Sequence, residues 1–417
     1  MLQRNARYNI LNAVAMAASI NLINQYVGIF AVKLGATDLQ LGYLSSWPNL
    51  ASVIATLGAA AAVARARSKQ RLIAAIFLLG RAAALGAAAV PWFPESARVW
   101  ALIGFWVLAV FPNSAAGTAM QSFIADVFPG TSERGRAFAT RNTWTTGAGI
   151  LLIPFVGWAL DSLFPYPLGY QIMFVASFFV ALWEIYFFLK MKEPQTDAKR
   201  EAAAAKLPAE RVDYRTYLRT FSHRPFLLFV LCSVPFHFAW QIAWPVFTRY
   251  QVTDLHMNNS WLSWMTVANQ LGQMAVFPLW ARWGERYGNT MMLAVAAANL
   301  ATAPFLTALA TTPVWLLLIN VWTGFGVAGV VLLVLNNQMD VSPAERRPVF
   351  LAVHAALVSI SATLAPLVGA FLMSTMGTRR ALFFSSGPRT LTAIAFLILA
   401  RYLGQGKGSE APKANRT

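Results

Sequence analysis

Apolar runs of helical length alternate with short polar segments along almost the whole chain. Twelve such runs start near Tyr8, Leu39, Leu72, Trp100, Phe138, Tyr170, Phe226, Trp261, Met291, Val314, Phe350 and Ala381. A hydrocarbon core about 30 Å thick is crossed by about 20 helical residues. Unpaired backbone groups are costly in lipid, so each run is predicted to be a helix that satisfies its own N–H and C=O groups. Turn signals at 91–94 and 311–313 separate neighbouring runs. Only residues 191–224 form a long polar stretch, and they divide six runs from six. The pattern predicts an all-α polytopic membrane protein with twelve transmembrane helices in two pseudo-symmetric six-helix bundles. The first bundle covers 1–190, a cytoplasmic linker 191–224 and the second bundle 225–403. Residues 404–417, polar and rich in Gly and Lys, are predicted to be a disordered cytoplasmic tail. In the linker, Tyr214, Tyr217 and Phe221 share one helical face beside Arg215 and Arg219, which predicts an amphipathic helix on the inner leaflet.

The pseudo-symmetry is written as a repeat. Asp126-Val127-Phe128-Pro129 recurs as Asp340-Val341-Ser342-Pro343, Glu133-Arg134 as Glu345-Arg346, and Pro154-Phe155-Val156-Gly157 as Pro366-Leu367-Val368-Gly369. Placed on the spans, each copy runs from the end of one helix through a loop to a Pro-x-x-Gly in the next. It marks the fourth-to-fifth and the tenth-to-eleventh hairpin. Within the repeat Asn142 stands opposite His354. A repeat of about half the chain in an apolar sequence points to a transporter built from two related bundles. Pro removes a backbone hydrogen bond and Gly permits close packing, so bending, sliding and tight helix contact are all open for these positions.

Composition agrees with lipid as solvent. Of 417 residues 57% are hydrophobic and 12% charged, against about 25% charged in soluble domains. The formal net charge is +17. In a soluble protein that would raise nucleic acid as a partner. Here the cations cluster in alternate loops: Arg65, Arg67, Lys69 and Arg71, the 133–141 segment, the linker, Arg282 with Arg286, and Arg346 with Arg347. Excess Lys and Arg in cytoplasmic loops sets orientation. Both termini are therefore expected in the cytoplasm of a multi-pass plasma-membrane protein, and nucleic acid is not expected as a partner. Arg379 and Arg380, in the last external turn, are the exception. Arg4 and Arg7 before an apolar run mimic a signal peptide, but the 8–32 run is too long for one and is read as a retained first helix. The single cysteine, Cys232, excludes an intrachain disulfide and a cysteine metal cluster.

Two bundles of six, a cytoplasmic linker and charged signatures in equivalent loops resemble the major facilitator superfamily over nearly the whole chain. The best local match is Gly284-Glu285-Arg286-Tyr287-Gly288, with Glu285 in the acidic place of the family's loop signature. The equivalent first-half loop, Ala64-Arg65-Ala66-Arg67-Ser68-Lys69, has lost the acidic residue and the glycine, and the fourth helix lacks the intramembrane arginine of many proton-coupled relatives. Arg–carboxylate pairs at helix ends can latch one helix to another and release in a second conformation. Glu285 with Arg286, Asp126 with Arg134, and Asp340 with Arg346 are the candidate latches, with orientation signals and helix caps as the alternative.

The resemblance implies that the first, fourth, seventh and tenth helices line a central cavity. Asn21, Asn24 and Gln25 stand at i, i+3 and i+4 in the first. His237, Trp240, Gln241 and Trp244 share one face of the seventh; the fourth offers Asn113 and Gln121, and the tenth Asn320 and Thr323. Polar side chains in hydrocarbon are costly unless they face the bundle interior; interhelical hydrogen bonding is the alternative use. These stretches carry no carboxylate or arginine, so a neutral or weakly charged organic solute is expected, held by stacking and amide hydrogen bonds. Three ionisable residues lie well inside spans: Arg81, Glu184 and Arg389. Helix rise puts Arg81 and Glu184 at overlapping depths, which predicts a pair. Arg389 has no partner evident from sequence.

The expectation is a secondary active transporter working by alternating access. Proton-coupled efflux, facilitated or symport uptake of a polar metabolite, and a non-transporting sensor or assembly factor all remain open. No His-x-x-x-His, Gly-x-Ser-x-Gly or Walker-type run stands in a matching context, which argues against an enzyme or a primary pump. No cofactor or metal is expected. The expected partners are the solute, membrane lipids and, in a coupled mechanism, protons, with the protein a monomer.

Overall fold

The computed structural model describes residues 2–64, 68–128, 130–192, 218–343 and 346–408. Among them there is no strand. The first sequence half gives α1 (Leu2–Asn21), α2 (Val27–Lys33), α3 (Asp38–Ala64), α4 (Lys69–Gly86), α5 (Glu95–Val127), α6 (Thr131–Ser162) and α7 (Leu168–Lys190). The second gives α8 (Arg224–Arg249), α9 (Asn259–Tyr287), α10 (Asn289–Leu309), α11 (Pro313–Val341), α12 (Arg347–Met376) and α13 (Thr378–Gly408). The first span is α1 with α2; α3 to α13 are the second to twelfth. Among the described residues nine spans are individually long and apolar enough to cross a membrane.

Three expectations change. Helix α1 begins at Leu2, so Arg4 and Arg7 lie within it. The first span is not one helix: residues 22–26 form turns, with Ile23 N bonded to Ile20 O and Tyr26 N to Ile23 O. Helix α13 runs to Gly408, so residues 404–408, expected in the disordered tail, are helical. The linker helix around Tyr214 and Tyr217, the Arg65–Arg67 loop, Glu345 and residues 409–417 lie outside the described residues.

Local chemistry fixes the helix starts. Thr37 and Gln40 form a reciprocal capping box before α3, with Gln40 N donating to Thr37 Oγ1 at 3.2 Å and Thr37 N to Gln40 Oε1 at 2.9 Å. Ser68 Oγ caps α4 and Asn258 Oδ1 caps α9. Gly288, at φ +90°, turns the chain from α9 into α10 in a conformation that disfavours side chains.

The chain divides into two compact units. Unit 1 comprises Met1–Arg211 with Gln251–Val267, and unit 2 comprises Val212–Tyr250 with Ala268–Thr417. Helix α9 thus begins in unit 1 and continues in unit 2. Within unit 1, α1 packs on α6 and α7, and α4 on α5 and α7. Within unit 2, α8 packs on α12 and α13, and α10 on α11 and α13. The two sets are the same arrangement of first, third, fourth, fifth and sixth helices, which is what the repeat predicts. Buried Phe30, Tyr170 and Phe174 are central to one core, and Phe226, Phe229 and Phe396 to the other. Leu79, Leu151 and Leu391 are more than half exposed on the helix surfaces, as lipid-facing side chains require.

One face of α1 is a polar ladder. Asn5, Asn9, Asn12 and Ser19 are all buried. Asn5 Nδ2 donates to Lys192 O at 2.8 Å, Asn9 Nδ2 to Ala137 O at 3.2 Å, Asn12 Nδ2 to Glu184 O at 2.8 Å and Ser19 Oγ to Ser177 O at 3.0 Å. The ladder ties α1 to α6, α7 and the residues just after α7, where amide bonds replace water as partners.

Candidate functional site

Unit 1 has a cavity of about 400 Å³ between α1, α4, α5 and α6, within the size range of small-molecule sites. Phe77, Trp106 and Phe138 supply apolar wall. Asn24, Asn113, Gln121 and Asn142 supply amides, and Arg81 and Arg141 two guanidinium groups. Of the first-span candidates, Asn24 reaches this cavity from the 22–26 break. Asn21 instead bonds back to Ala17 O at 2.9 Å, and Gln25 is exposed. Asn113 Nδ2 donates to Ala109 O at 2.8 Å, while its buried Oδ1 has no protein partner.

Among the described residues, two buried guanidinium groups share this unit with one buried carboxylate. Arg81 Nη2 donates to Glu184 Oε2 at 2.9 Å, with both residues at most 5% exposed. Arg141 sits in α6 and is 7% exposed. The sequence placed it in a cytoplasmic loop, but α6 starts at Thr131, and its first turns carry Arg141 down the helix to the α1 ladder. Its Nη1 donates to Asn12 Oδ1 at 2.7 Å and to Asn9 Oδ1 at 3.2 Å. The stretches chosen on the first, fourth, seventh and tenth spans carry no arginine; the third and fifth spans bring one each to this cavity. The clue lay in Asn5, Asn9 and Asn12, spaced by four and three residues ahead of the asparagines that were chosen.

In unit 2 the seventh-span face divides. Gln241 is buried with an unpartnered Oε1, Trp240 packs against the core, and Trp244 is 41% exposed. The Trp240 and Trp244 rings meet edge to face at 6.4 Å. His237 Nδ1 donates to Ser233 O at 2.8 Å. Gln338 Nε2 donates to His354 Nδ1, so His354 carries its proton on Nε2 and donates it to Ser233 Oγ at 2.8 Å. Thr323 takes the alternative role of interhelical bonding, its Oγ1 accepting from Asn269 Nδ2 on α9 at 3.3 Å, whereas the Asn320 side chain turns back on its own helix, Nδ2 donating to Leu316 O at 2.8 Å. Arg389 is held by three backbone carbonyls: Trp240 O at 2.7 Å, Leu300 O at 3.0 Å and Ala239 O at 3.2 Å. No sequence pattern announces carbonyls as partners.

The chain matches the Major Facilitator Superfamily profile over residues 10–239 and again over 229–416. The chain belongs to the Major Facilitator Superfamily. It is thus a multi-pass membrane protein of a transporter family. A curated relative is Multidrug resistance protein 1 of Bacillus subtilis (strain 168), 22% identical over 166 residues, which are 40% of this chain and 42% of that protein. The match thus spans less than half of the relative's length. Among solved structures, nucleoside transporter NupG is similar at TM-score 0.72 and 15% identity, covering 95% of this chain and 99% of that one. The D-xylose-proton symporter is similar at TM-score 0.69 and 12% identity, covering 95% and 96%.

In this superfamily member the loop charges choose partners other than those expected. Asp126 Oδ2, at the end of α5, accepts from Lys69 Nζ at 3.0 Å, and Arg134 Nε donates to Phe128 O at 3.4 Å. Asp340 Oδ2, at the end of α11, accepts from Asn289 Nδ2 at 2.7 Å, and Arg346 is exposed. Lys69 and Asn289 are the first residues of α4 and α10, so the two halves repeat one arrangement. A carboxylate at a helix N-terminus also faces the positive end of its dipole. Glu285 and Arg286 are both exposed, and the Arg286 guanidinium lies over the Tyr287 ring at 5.2 Å.

The Pro-x-x-Gly copies serve close contact. A Cβ on Gly369 would collide with Ile242 O of α8. One on Gly157 would collide with Ser263 Oγ and lie 2.8 Å from Asn259 O of α9. Nearby, Asp161 accepts four hydrogen bonds from Asn259 and Ser260, two of them from backbone N–H groups at 3.1 and 2.7 Å. Tyr170 Oη donates to Asn259 Oδ1 at 2.7 Å, and the Tyr26 and Ser263 hydroxyls lie 2.8 Å apart.

Proposed function

We propose that this superfamily member is a secondary transporter that moves a small organic solute across the cytoplasmic membrane by alternating access, with both termini on the cytoplasmic side. The observation that carries the reading is the unit 1 cavity, where amides and guanidinium groups line a space inside a chain that otherwise presents apolar surface to lipid. Polar and charged groups at such depth are expensive to keep. A passing solute gives them a use that lipid contact does not. The structural relatives are named for nucleosides and D-xylose, and the partial sequence relative for multidrug resistance. The fold therefore supports a carrying device and leaves cargo to the side chains. Of the neutral or weakly charged solutes expected from sequence, Arg141 favours those that accept a positive charge beside them.

The test has two stages. Purified protein is screened for thermal stabilisation by a library of metabolites and drugs, and each hit is then assayed for flux in liposomes with and without a pH gradient. Saturable flux of a hit supports the reading; hits that bind but never cross the bilayer sink it. Proton coupling is the second reading, favoured by the hydrogen-bonded line His237–Ser233–His354–Gln338. It requires flux to follow the pH gradient and His354→Gln to uncouple it. The sign of the gradient effect separates efflux from uptake. Flux indifferent to the gradient ends that reading. Replacement of Trp240 and Gln241 together by Ala tests the seventh-span face: unchanged stabilisation by every hit removes it from the site.

A further inference from the structure

Arg141 is the buried cation of unit 1 that has no carboxylate in hydrogen-bond contact among the described residues. Amide oxygens of Asn9 and Asn12 occupy Nη1. Among the described residues Nη2 meets only sulfur, Met16 Sδ at 3.0 Å and Met120 Sδ at 3.8 Å. Thioether sulfur is a weak acceptor, so a guanidinium nitrogen with two N–H donors is left without an oxygen there. Met16, Met120 and Arg141 all line the cavity. Arg81 lines it too, and its buried Nε has no partner although Nη2 is paired with Glu184.

The charge count points the same way. Arg81 and Arg141 stand against Glu184 alone, which leaves one net positive charge in the membrane-spanning part of unit 1. The other described acids of this unit, Asp38, Glu95, Asp126, Glu133, Asp161 and Asp254, lie at helix ends. One excess positive charge is neutralised by a monoanion, whereas a dianion would leave the opposite excess. A planar carboxylate matches the fork of a guanidinium and makes short charge-assisted bonds. The rest of the cavity suits an apolar or aromatic body, with Phe77, Trp106 and Phe138 in its wall, and the free Asn113 Oδ1 can accept from one O–H or N–H.

We infer that the unit 1 cavity binds an organic monocarboxylate, its head group displacing the methionine sulfurs at Arg141 Nη2 and facing Arg81 as the second cation. This rests on the transport reading and names its solute class. Met16 and Met120 can make way for that head group, since thioether side chains re-pack at little cost.

The test uses full-length protein in lipid nanodiscs and reads the melting temperature against phenylacetate, phenylpropionate and indolylacetate. Their primary amides and phenyl phosphate serve as matched controls. Acids are expected to stabilise at concentrations roughly tenfold or more below their amides, as loss of a charge-assisted hydrogen bond implies. Phenyl phosphate is expected to be weaker than the acids. R141Q should abolish the acid preference and R141K should keep part of it. Equal effects of acid and amide, acid effects that persist in R141Q, or no stabilisation of the unaltered protein would each overturn the inference. The acid-against-amide comparison needs no variant, so poor folding of R141Q does not blunt it. Acid binding lost in R141Q, with no flux in liposomes, keeps the site and removes the transport reading. A library solute carried by R141Q with unchanged concentration dependence keeps transport and removes the site.

Discussion

Replacing Glu184 by glutamine keeps the side-chain shape and removes the one buried carboxylate among the described residues of unit 1. Arg81 and Glu184 are 2.9 Å apart and at most 5% exposed, so solvent screens neither. Removing one partner of such a pair costs about 3–5 kcal/mol, because the other charge stays buried. A lone arginine at the bilayer centre costs about 2.5–3.5 kcal/mol on insertion scales. The two figures meet near ~3 kcal/mol, or about 6–12 °C at roughly 2–4 °C per kcal/mol for a bundle of this size. The partners are not equivalent. In E184Q two guanidinium groups remain with no buried acid. In R81Q Glu184 keeps Arg141 close, since Asn12 bonds both Glu184 O and the Arg141 guanidinium. The expected order of stability is the unaltered protein, then R81Q, then E184Q, with the R81Q/E184Q double variant above E184Q. The assay is the temperature at which the monodisperse peak is lost on size-exclusion chromatography in one detergent. E184Q within about 1 kcal/mol of the parent, or a double variant no better than E184Q, would refute the charge argument.

Three further outcomes are expected. Gly369→Ala should destabilise by about 1–3 kcal/mol, because its methyl group meets the α8 backbone at Ile242 rather than a side chain that can turn away; an unchanged melting temperature contradicts it. Arg389→Lys should cost about 1–3 kcal/mol, since an ammonium cannot span carbonyls on α8 and α10 as the guanidinium does, and the same melting curve will read it. Asp126→Asn should leave stability within about 1 kcal/mol, as its pair with Lys69 is 30–41% exposed, yet should change the liposome transport rate if the contact cycles; an unchanged rate makes it a helix cap only.

Architecture was legible because the bilayer imposes it. Run length, alternating loop charge and the Asp/Glu-Arg/Pro-x-x-Gly repeat carry the same message at three scales, and the helix packing repeats between the units. The Arg81–Glu184 geometry followed from helix rise, since two charges at one depth have few other partners. The choice of cavity residues was harder. Asn24, Asn113 and Gln121 line the unit 1 cavity; Asn21 bonds back to Ala17 O, and the first span breaks at 22–26 to place Asn24. No hydropathy pattern marks that break. Arg141 looked like a loop cation because polar residues surround it; only the burial of the Asn5–Asn9–Asn12 face shows how a charge is carried inward. The partners that the loop aspartates take in this structure were hidden for a similar reason. Each aspartate bonds the start of the preceding antiparallel neighbour, a contact distant in sequence, rather than the arginine a few residues on.

Asp161 gives the boundary between modules an unexpected place. Its carboxylate caps the first turn of α9, with Tyr170 and Tyr26 beside it, so residues 251–267 from the second sequence half complete unit 1. A gene cut in the polar linker, the obvious site for making half-transporters, would therefore not yield two self-sufficient pieces. The N-terminal fragment would leave Asp161 without its four donors and the buried Tyr170 hydroxyl without its acceptor, while Tyr26 Oη would keep Ile153 O. Fragment complementation should depend on these few residues, and an N-terminal half fused to a copy of 251–267 should express better than the half alone.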